Sequence, residues 1–313
     1  MQDNVIVITG PTASGKTEIS IKLALKKDAE IVSADSRQIY KYMDIGTAKP
    51  TQEELQTVKH HCINIKEPDE FFNAGMYGKV SRKIVQDILK RKKLPVVVGG
   101  SGLYIRALTE GIFEGEYRDT AIRNKLKNEL NEKGQKELFS RLVNVDPKSA
   151  EKIHPHDAKR IIRALEVYEL AGEPISDLQI RSTKKADFTP LFFGLQWPRD
   201  ILYKRIEERV DAMMEAGFVD EVKNLLNMGY SPDLNSLDSL GYREIISYLK
   251  GNCNYSTMVE EIKKNTRRFA KKQLTWFRKD RRITWIDMYE CSGTQEVVDM
   301  ILDSSSLRKK IKE

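Results

Sequence analysis

Cysteine is scarce in this chain, with three in 313 residues: Cys62, Cys253 and Cys291. Their wide spacing matches neither a disulfide framework nor a paired CxxC zinc site, so a hydrophobic core has to hold the fold. Long apolar runs are missing too, which excludes a membrane-spanning helix. The chain runs straight into NVIVITG with no basic region or cleavage site, so the expected location is the cytoplasm. Repeats and low-complexity tracts are absent, and only the final SSSLRKKIKE reads as a frayed tail. His60, His61 and Cys62 are adjacent, and an extended strand puts His60 and Cys62 on one face. No second ligand pair accompanies them, so an ordinary strand is expected there and not a metal site.

With 40% hydrophobic and 32% charged residues, the composition is that of a soluble globular protein, more charged than average. The length suits one large domain with an insertion, or two ordinary domains. Positive charge is in excess: the formal net charge of +7 favours a polyanionic partner, nucleic acid or phosphorylated small molecule alike.

The β-branched run NVIVITG enters a glycine-rich turn, and TEISIKLALKK follows at helical spacing. AEIVSADSRQIY repeats the strand and polar turn, and KVSRKIVQDILKRKKLPVVVGGSGLYIRAL supplies a helix, an apolar strand and another turn. Such alternation predicts an α/β fold, a parallel sheet flanked by helices with ligands at the carboxyl ends of the strands. Between 116 and 187 only helical segments occur, such as AIRNKLKNELNEKG and AKRIIRALEVYELAGEP. An inserted all-helical domain is therefore expected over 116–187, with 1–115 and 188–313 forming the α/β core. PLFFGLQWP brings the strand pattern back, and RIEERVDAMMEAGFVDEVKNLLNMG has the helical period.

Gly10, Pro11, Thr12, Ala13, Ser14, Gly15, Lys16 and Thr17 satisfy G-x-x-x-x-G-K-[ST], with an apolar strand before and a helix after. This predicts a P-loop NTPase-like sheet. The glycines let backbone N–H groups face phosphate oxygens, Lys16 adds a full charge, Thr17 can hold a magnesium ion (Mg2+), and the helix N-terminus adds its dipole. A nucleotide hydrolase also carries an acid at the end of a second apolar strand, yet LPVVVGG ends in glycines. The acid at a strand end is Asp35, in SADSRQIY. Projecting into the same crevice, it can hold magnesium through water or act as a general base; an Asx turn or helix cap is the structural alternative.

From Lys263 to Arg282 the chain holds ten basic residues and one acid, Asp280. Lys264, Arg268, Lys271, Thr275 and Arg278 recur at three- or four-residue spacing, with Phe269, Leu274, Trp276 and Phe277 available to pack or stack. Solvated faces normally mix signs, so this stripe is expected to meet a phosphate backbone. Lys159, Arg160 and Arg163 add charge on another helix, where His154 and His156 are expected to cap or pack.

GPTASGKT, DSRQIY followed by MDIGTAKP, GGSGLY, HPHDAKRIIRALE, GYRE and KKQLTWFR occur in an order that resembles the bacterial tRNA dimethylallyltransferases, over Gly10 to Arg278. Eukaryotic members append a zinc-finger segment, and no suitable Cys/His set occurs here. The resemblance implies transfer of a dimethylallyl group from dimethylallyl diphosphate to N6 of adenine 37 in the tRNA anticodon stem-loop, by a monomer that uses magnesium. It implies that Asp35 is the general base, that Lys16, Thr17, Arg205 and Arg209 serve the diphosphate, and that Ser36, Arg37, Gln38, Ser101, Arg123, Gly241, Arg243, Lys271, Lys272 and Arg278 contact tRNA, with Lys159, Arg160 and Arg163 beside them. Arg205 and Arg209 lie one turn apart in YKRIEERVD, where pairing with Glu208 or Asp211 is the alternative. Two rivals share the loop: an adenylate isopentenyltransferase acting on a free nucleotide, and an ATP-binding RNA-associated protein or kinase.

Overall fold

The apolar runs form strands that pair side by side in the computed structural model, which describes residues 4–113 and 117–310. In chain order the elements begin β1 (Asn4–Thr9), α1 (Lys16–Lys27), β2 (Ala29–Ser33), α2 (Gln52–Thr57), β3 (His60–His61), α3 (Ala74–Lys90), β4 (Leu94–Gly99) and α4 (Gly102–Thr109). Five helices follow: α5 (Thr120–Lys133), α6 (Gln135–Val145), α7 (Pro147–Ala150), α8 (Ala158–Ala171) and α9 (Ile175–Ser182). The chain then runs β5 (Thr189–Gln196), α10 (Arg199–Glu215), α11 (Phe218–Asn227), α12 (Tyr242–Leu249), α13 (Tyr255–Phe277), β6 (Thr284–Asp287) and α14 (Thr294–Lys310). Two compact units result, residues 1–109 with 186–313 and residues 110–185; the boundary read at 116 lies outside the described residues.

The six strands of the first unit are all parallel, in the order β3-β2-β4-β1-β5-β6. Ile6 of β1 faces Val96 of β4 on one side and Leu191 of β5 on the other. A parallel sheet needs helices on both faces, so its two central strands, β1 and β4, are mostly apolar and buried along nearly their whole length. On one face Ile19 and Leu23 of α1 pack with Val297, Val298, Ile301 and Leu302 of α14 over β1 and β5. Helix α14 takes in the SSSLRKK part of the tail, read as a frayed end, as far as Lys310; 311–313 lie outside the described residues.

The second unit is all helical around Leu126, Leu138, Leu142, Ile161 and Leu165. Asp119 caps α5 through the N–H of Ile122, and Asp157 caps α8 through that of Arg160. Each cap satisfies a donor that a helix start leaves unpaired. Among the described residues, no helix is long and apolar enough to cross a membrane.

The strand read at His60 to Cys62 is shorter than expected. Cys62 has φ 63 and leaves the sheet, so it shares no strand face with His60. His60 Nδ1 contacts the Val58 carbonyl at 2.7 Å, and His61 Nε2 meets Glu30 at 2.7 Å. No group of three or more metal-ligating side chains occurs among the described residues.

Glu30, on β2 and 3% exposed, is enclosed by polar partners: Arg91 engages both its oxygens, the His61 ring contacts one, and Lys59 and Lys93 lie within 4 Å. The Arg91 hydrogen bonds, more than its burial, set its pKa and bring it down to about 2. The folded state then binds fewer protons than the unfolded chain between about pH 4.5 and 2, so the associated stability, on the order of 3 kcal/mol, is complete above that window and lost as pH falls through it. Glu30→Gln should therefore be destabilised at pH 7, and the gap from wild type in urea unfolding should close as pH falls towards 2.

Candidate active site

The phosphate loop owes its shape to three residues with positive φ. Gly10 has φ 147, Ala13 has φ 63 and Gly15 has φ 93, so the chain turns tightly between β1 and α1. Gly10 also permits a close approach, since a Cβ there would lie 2.7 Å from the Leu195 carbonyl of β5. Lys16 folds back over the loop, its Nζ donating to the Gly10 and Pro11 carbonyls at 3.1 and 2.6 Å. Burial foremost, then the charge of Arg209, lowers its pKa to about 7, while Asp35 opposes the shift. Ser14 Oγ is buried without a hydrogen-bond partner among the described residues, a donor left for a ligand oxygen.

Asp35 stands two residues beyond β2, in a crevice set by backbone contact. The Ala34 N–H donates to Val98 O at 2.7 Å, and a Cβ on Gly99 would lie 2.1 Å from Ala34 O. Asp35 Oδ1 accepts the Arg37 N–H at 2.8 Å, so the carboxylate makes an Asx turn and also borders the cavity of the phosphate loop. The two readings of Asp35 are thus compatible. Ser101 Oγ accepts the Ser36 N–H at 3.1 Å. Gln38 donates to the carbonyls of Thr47 and Ala48, and Arg37 Nη1 donates to Asn235 O at 2.6 Å. Asp35, Ser36, Arg37, Gln38 and Ser101 all line one cavity of about 950 Å³ with Thr12 to Thr17.

Arg205 and Arg209 of α10 both reach this loop. Arg205 Nε donates to Ala13 O at 3.0 Å, with its guanidinium 4.5 Å from the Trp197 ring centre. Arg209 Nη1 donates to Thr12 Oγ1 at 3.4 Å, and burial lowers its pKa. The alternative partners are engaged elsewhere, Glu208 with Lys204 at 3.9 Å and Asp211 with Lys263 at 2.7 Å. Lys16, Arg205 and Arg209 therefore converge with no carboxylate in ion-pair contact among the described residues, a concentration of charge that suits a polyphosphate.

The basic stripe of α13 divides in two. Lys263 pairs with Asp211, Lys264 with Glu261 at 2.7 Å and Arg267 with Glu207, so these serve the fold. Arg268, Lys271, Lys272 and Arg278 are exposed with no carboxylate partner among the described residues, and Phe269 and Trp276 are nearly half exposed beside them. Phe277 is buried.

Three expected tRNA contacts take internal roles. Arg123 and Arg163 both donate to Glu166 Oε2, at 2.7 and 3.0 Å, and Glu166 is fully buried. A buried carboxylate is costly unless paired, so these guanidiniums are held by the helical unit. Gly241 has φ 87 at the start of α12, gives its N–H to Glu244 Oε2 at 2.8 Å, and would press a Cβ 2.6 Å from the Phe218 ring. Arg243 is half exposed at the cavity and pairs with Glu244 and Asp238. In the helical unit, Lys159 is exposed and Arg160 pairs with Asp157 at 3.3 Å. His154 Nδ1 accepts the His156 N–H at 3.1 Å, a local turn.

Two positioning residues escaped sequence reasoning. Glu221 of α11 accepts three successive backbone N–H groups, from Asp44, Ile45 and Gly46 at 2.8, 2.6 and 3.1 Å, and the Tyr242 hydroxyl at 2.6 Å. It thereby pins the MDIGTAKP loop, whose Gly46, Thr47 and Ala48 border the cavity. Gln273 accepts the Thr12 N–H at 2.9 Å. A signal for it existed: an amide on the apolar stripe of Ile262, Ala270 and Phe277.

The family model described as IPP transferase matches residues 38–280. A tRNA dimethylallyltransferase of Desulforudis audaxviator is 47% identical over 289 residues, 92% of this chain and 93% of that protein. The solved full-length tRNA isopentenylpyrophosphate transferase of Bacillus halodurans is similar with a TM-score of 0.74 and 37% identity, covering 99% of each chain. A eukaryotic dimethylallyltransferase, solved acting on tRNA, gives a TM-score of 0.79 at 28% identity, over 97% of this chain and 79% of its own. The span matched by the family model begins after the phosphate loop and Asp35, whose assignment rests on geometry.

Diphosphate binding should draw a proton onto Lys16. With a pKa near 7, this lysine is mostly neutral at pH 8, and a bound anion favours its charged form. Calorimetry in buffers of different ionisation enthalpy should register uptake on the order of one proton at pH 8, falling away below pH 6. Lys16→Met should lack this component.

Proposed function

The chain belongs to the IPP transferase family, and from that premise we propose how its cavity carries out prenyl transfer. It is an enzyme that passes a dimethylallyl group from dimethylallyl diphosphate to N6 of adenine 37 in tRNA, beside the anticodon, and releases diphosphate. The convergence of Lys16, Arg205 and Arg209 on one phosphate loop, with Asp35 in the same cavity, carries the reading.

The donor's diphosphate lies in the loop, against its amides, Lys16 and the Ser14 hydroxyl, with Arg205 and Arg209 closing from α10. The apolar recess beside Thr12 and Arg209, about 60 Å³ and walled by Ile206, Val210, Met213, Phe218 and Ile262, suits the five-carbon tail. The oxygen donors present fit magnesium: among the described residues Thr17 Oγ1 has no partner, and one oxygen of Asp35 is unbonded. Thr17, with Asp35 through water, would hold the ion, which when bound neutralises diphosphate charge.

The adenine amino group is a poor nucleophile because its lone pair is delocalised into the ring, so loss of its proton must accompany attack. N6 bonds to C1 of the dimethylallyl group, the C1–O bond to diphosphate breaks, and the N6 proton passes to Asp35. Negative charge grows on the departing oxygen, where the loop amides and cations are already aligned. No phosphate is hydrolysed, in keeping with a β4 that ends in Gly99, followed by Gly100, and not in an acid.

Adenine 37 must leave its stack, at a cost of about a few kcal/mol. Ser36, Arg37, Gln38 and Ser101 border the cavity beside Asp35, where an extruded base and its neighbours would lie. The unpaired Lys271, Lys272 and Arg278 offer more positive surface than a free nucleotide needs, which favours RNA over AMP as acceptor. In this reading the chain works as a cytoplasmic monomer on the anticodon stem-loop.

Asp35→Asn should lower kcat about 10²–10⁴-fold while leaving RNA affinity nearly intact, measured by labelled prenyl incorporation and a binding titration. Incorporation into AMP but not tRNA would overturn the acceptor assignment, and unchanged kcat the base. Lys271→Ala with Lys272→Ala should weaken RNA binding and reduce the log–log salt slope by about 0.7 for each RNA phosphate that is no longer neutralised. An unchanged slope would mean that these lysines face away from the RNA.

A further inference from the structure

Helix α13 meets the rest of its unit through a buried stripe of Met258, Ile262, Thr266, Ala270, Gln273 and Phe277. Gln273 is the one carboxamide on that stripe and is 7% exposed. Its Oε1 accepts the Thr12 N–H at 2.9 Å, and its Nε2 donates to the Gly100 carbonyl at 3.0 Å. One side chain thus ties the phosphate loop after β1 to the turn after β4. The seat is closely fitted, because a Cβ on Gly100 would lie 2.2 Å from Nε2.

The two residues just before it in sequence are exposed, and Lys272 lines the same cavity as Gln273. Lys271 and Lys272 are exposed and free of carboxylate partners among the described residues, and Lys272, with Arg268 one turn back, borders the cavity mouth. A polyanion docking on this outer face acts on a rigid element whose inner face holds the diphosphate loop.

We propose that Gln273 is a positioning residue that couples RNA engagement on α13 to the diphosphate loop, so that each ligand strengthens binding of the other. This deepens the proposed function and rests on it. Coupling requires a physical element that both sites bias, and the amide bridge is that element. It is also reciprocal by linkage, so it can be measured from either ligand.

The test uses the full chain, inorganic diphosphate with magnesium, and an anticodon stem-loop RNA, followed by calorimetry. In wild type, saturating RNA should tighten diphosphate binding at least about fivefold, the lower end of common couplings. Gln273→Met keeps the volume and loses both hydrogen bonds. It should bind RNA within about twofold of wild type with the same salt slope, show no RNA effect on diphosphate, and lose kcat without a change in KM for RNA. Should that variant not fold cooperatively, Gln273→Glu, which keeps the acceptor for Thr12 and loses the donor to Gly100, should show at least half the logarithmic coupling gone. Independent binding in wild type, or full coupling in a folded variant, overturns the proposal. Failure of wild type to bind either ligand would instead sink the functional reading itself.

Discussion

Backbone touches backbone at the carboxyl edge of the sheet, and the site depends on that contact. Gly10 passes against Leu195 and Gly99 against Ala34, at separations that leave no room for a methyl group. These approaches bring the ends of β1, β2 and β4 into one crevice, so that a phosphate loop, a carboxylate turn and a serine turn border a shared space. A parallel sheet makes this possible because all of its strands deliver their loops to the same edge. Side-chain chemistry is then added to a frame that the backbone has already fixed.

Charge is arranged on that frame in two ways. Where an anion belongs to the fold, cations are matched to it: Arg91 on Glu30, Arg123 and Arg163 on Glu166. Around the phosphate loop they have no carboxylate in ion-pair contact among the described residues, and burial lowers the pKa of Lys16 and Arg209. Such an excess is costly by itself and would be offset by a bound polyanion. The contrast separates structural from functional cations, which a count of lysines and arginines does not.

This contrast also explains what could be read without coordinates. The phosphate loop was legible because its chemistry is contiguous, and Asp35 because a strand pattern precedes it. The central strands were legible because burial on both faces demands unbroken apolar runs. β3 was legible as a strand but one residue too long, because nothing local shows that Cys62 turns to a positive φ, and β6 was not legible, being four residues long, too short for any period to register. The pair between Arg163 and Glu166, three residues on, was not legible, because burial of Glu166 depends on helices that pack against it from elsewhere in the unit. Glu221 left no trace, since its carboxylate serves amides some 175 residues earlier in the chain.

That separation in sequence orders events during synthesis. The phosphate loop leaves the ribosome first, but the arginines that close it, the glutamate that pins its neighbouring loop and the glutamine that holds Thr12 follow at positions 205, 209, 221 and 273. A nascent chain exposing only the first strands has a loop without walls. The contacts that wall the loop are therefore complete only once α13 has been made, so a product of interrupted translation that ends before it carries the most recognisable motif of the protein without the Gln273 contact to Thr12.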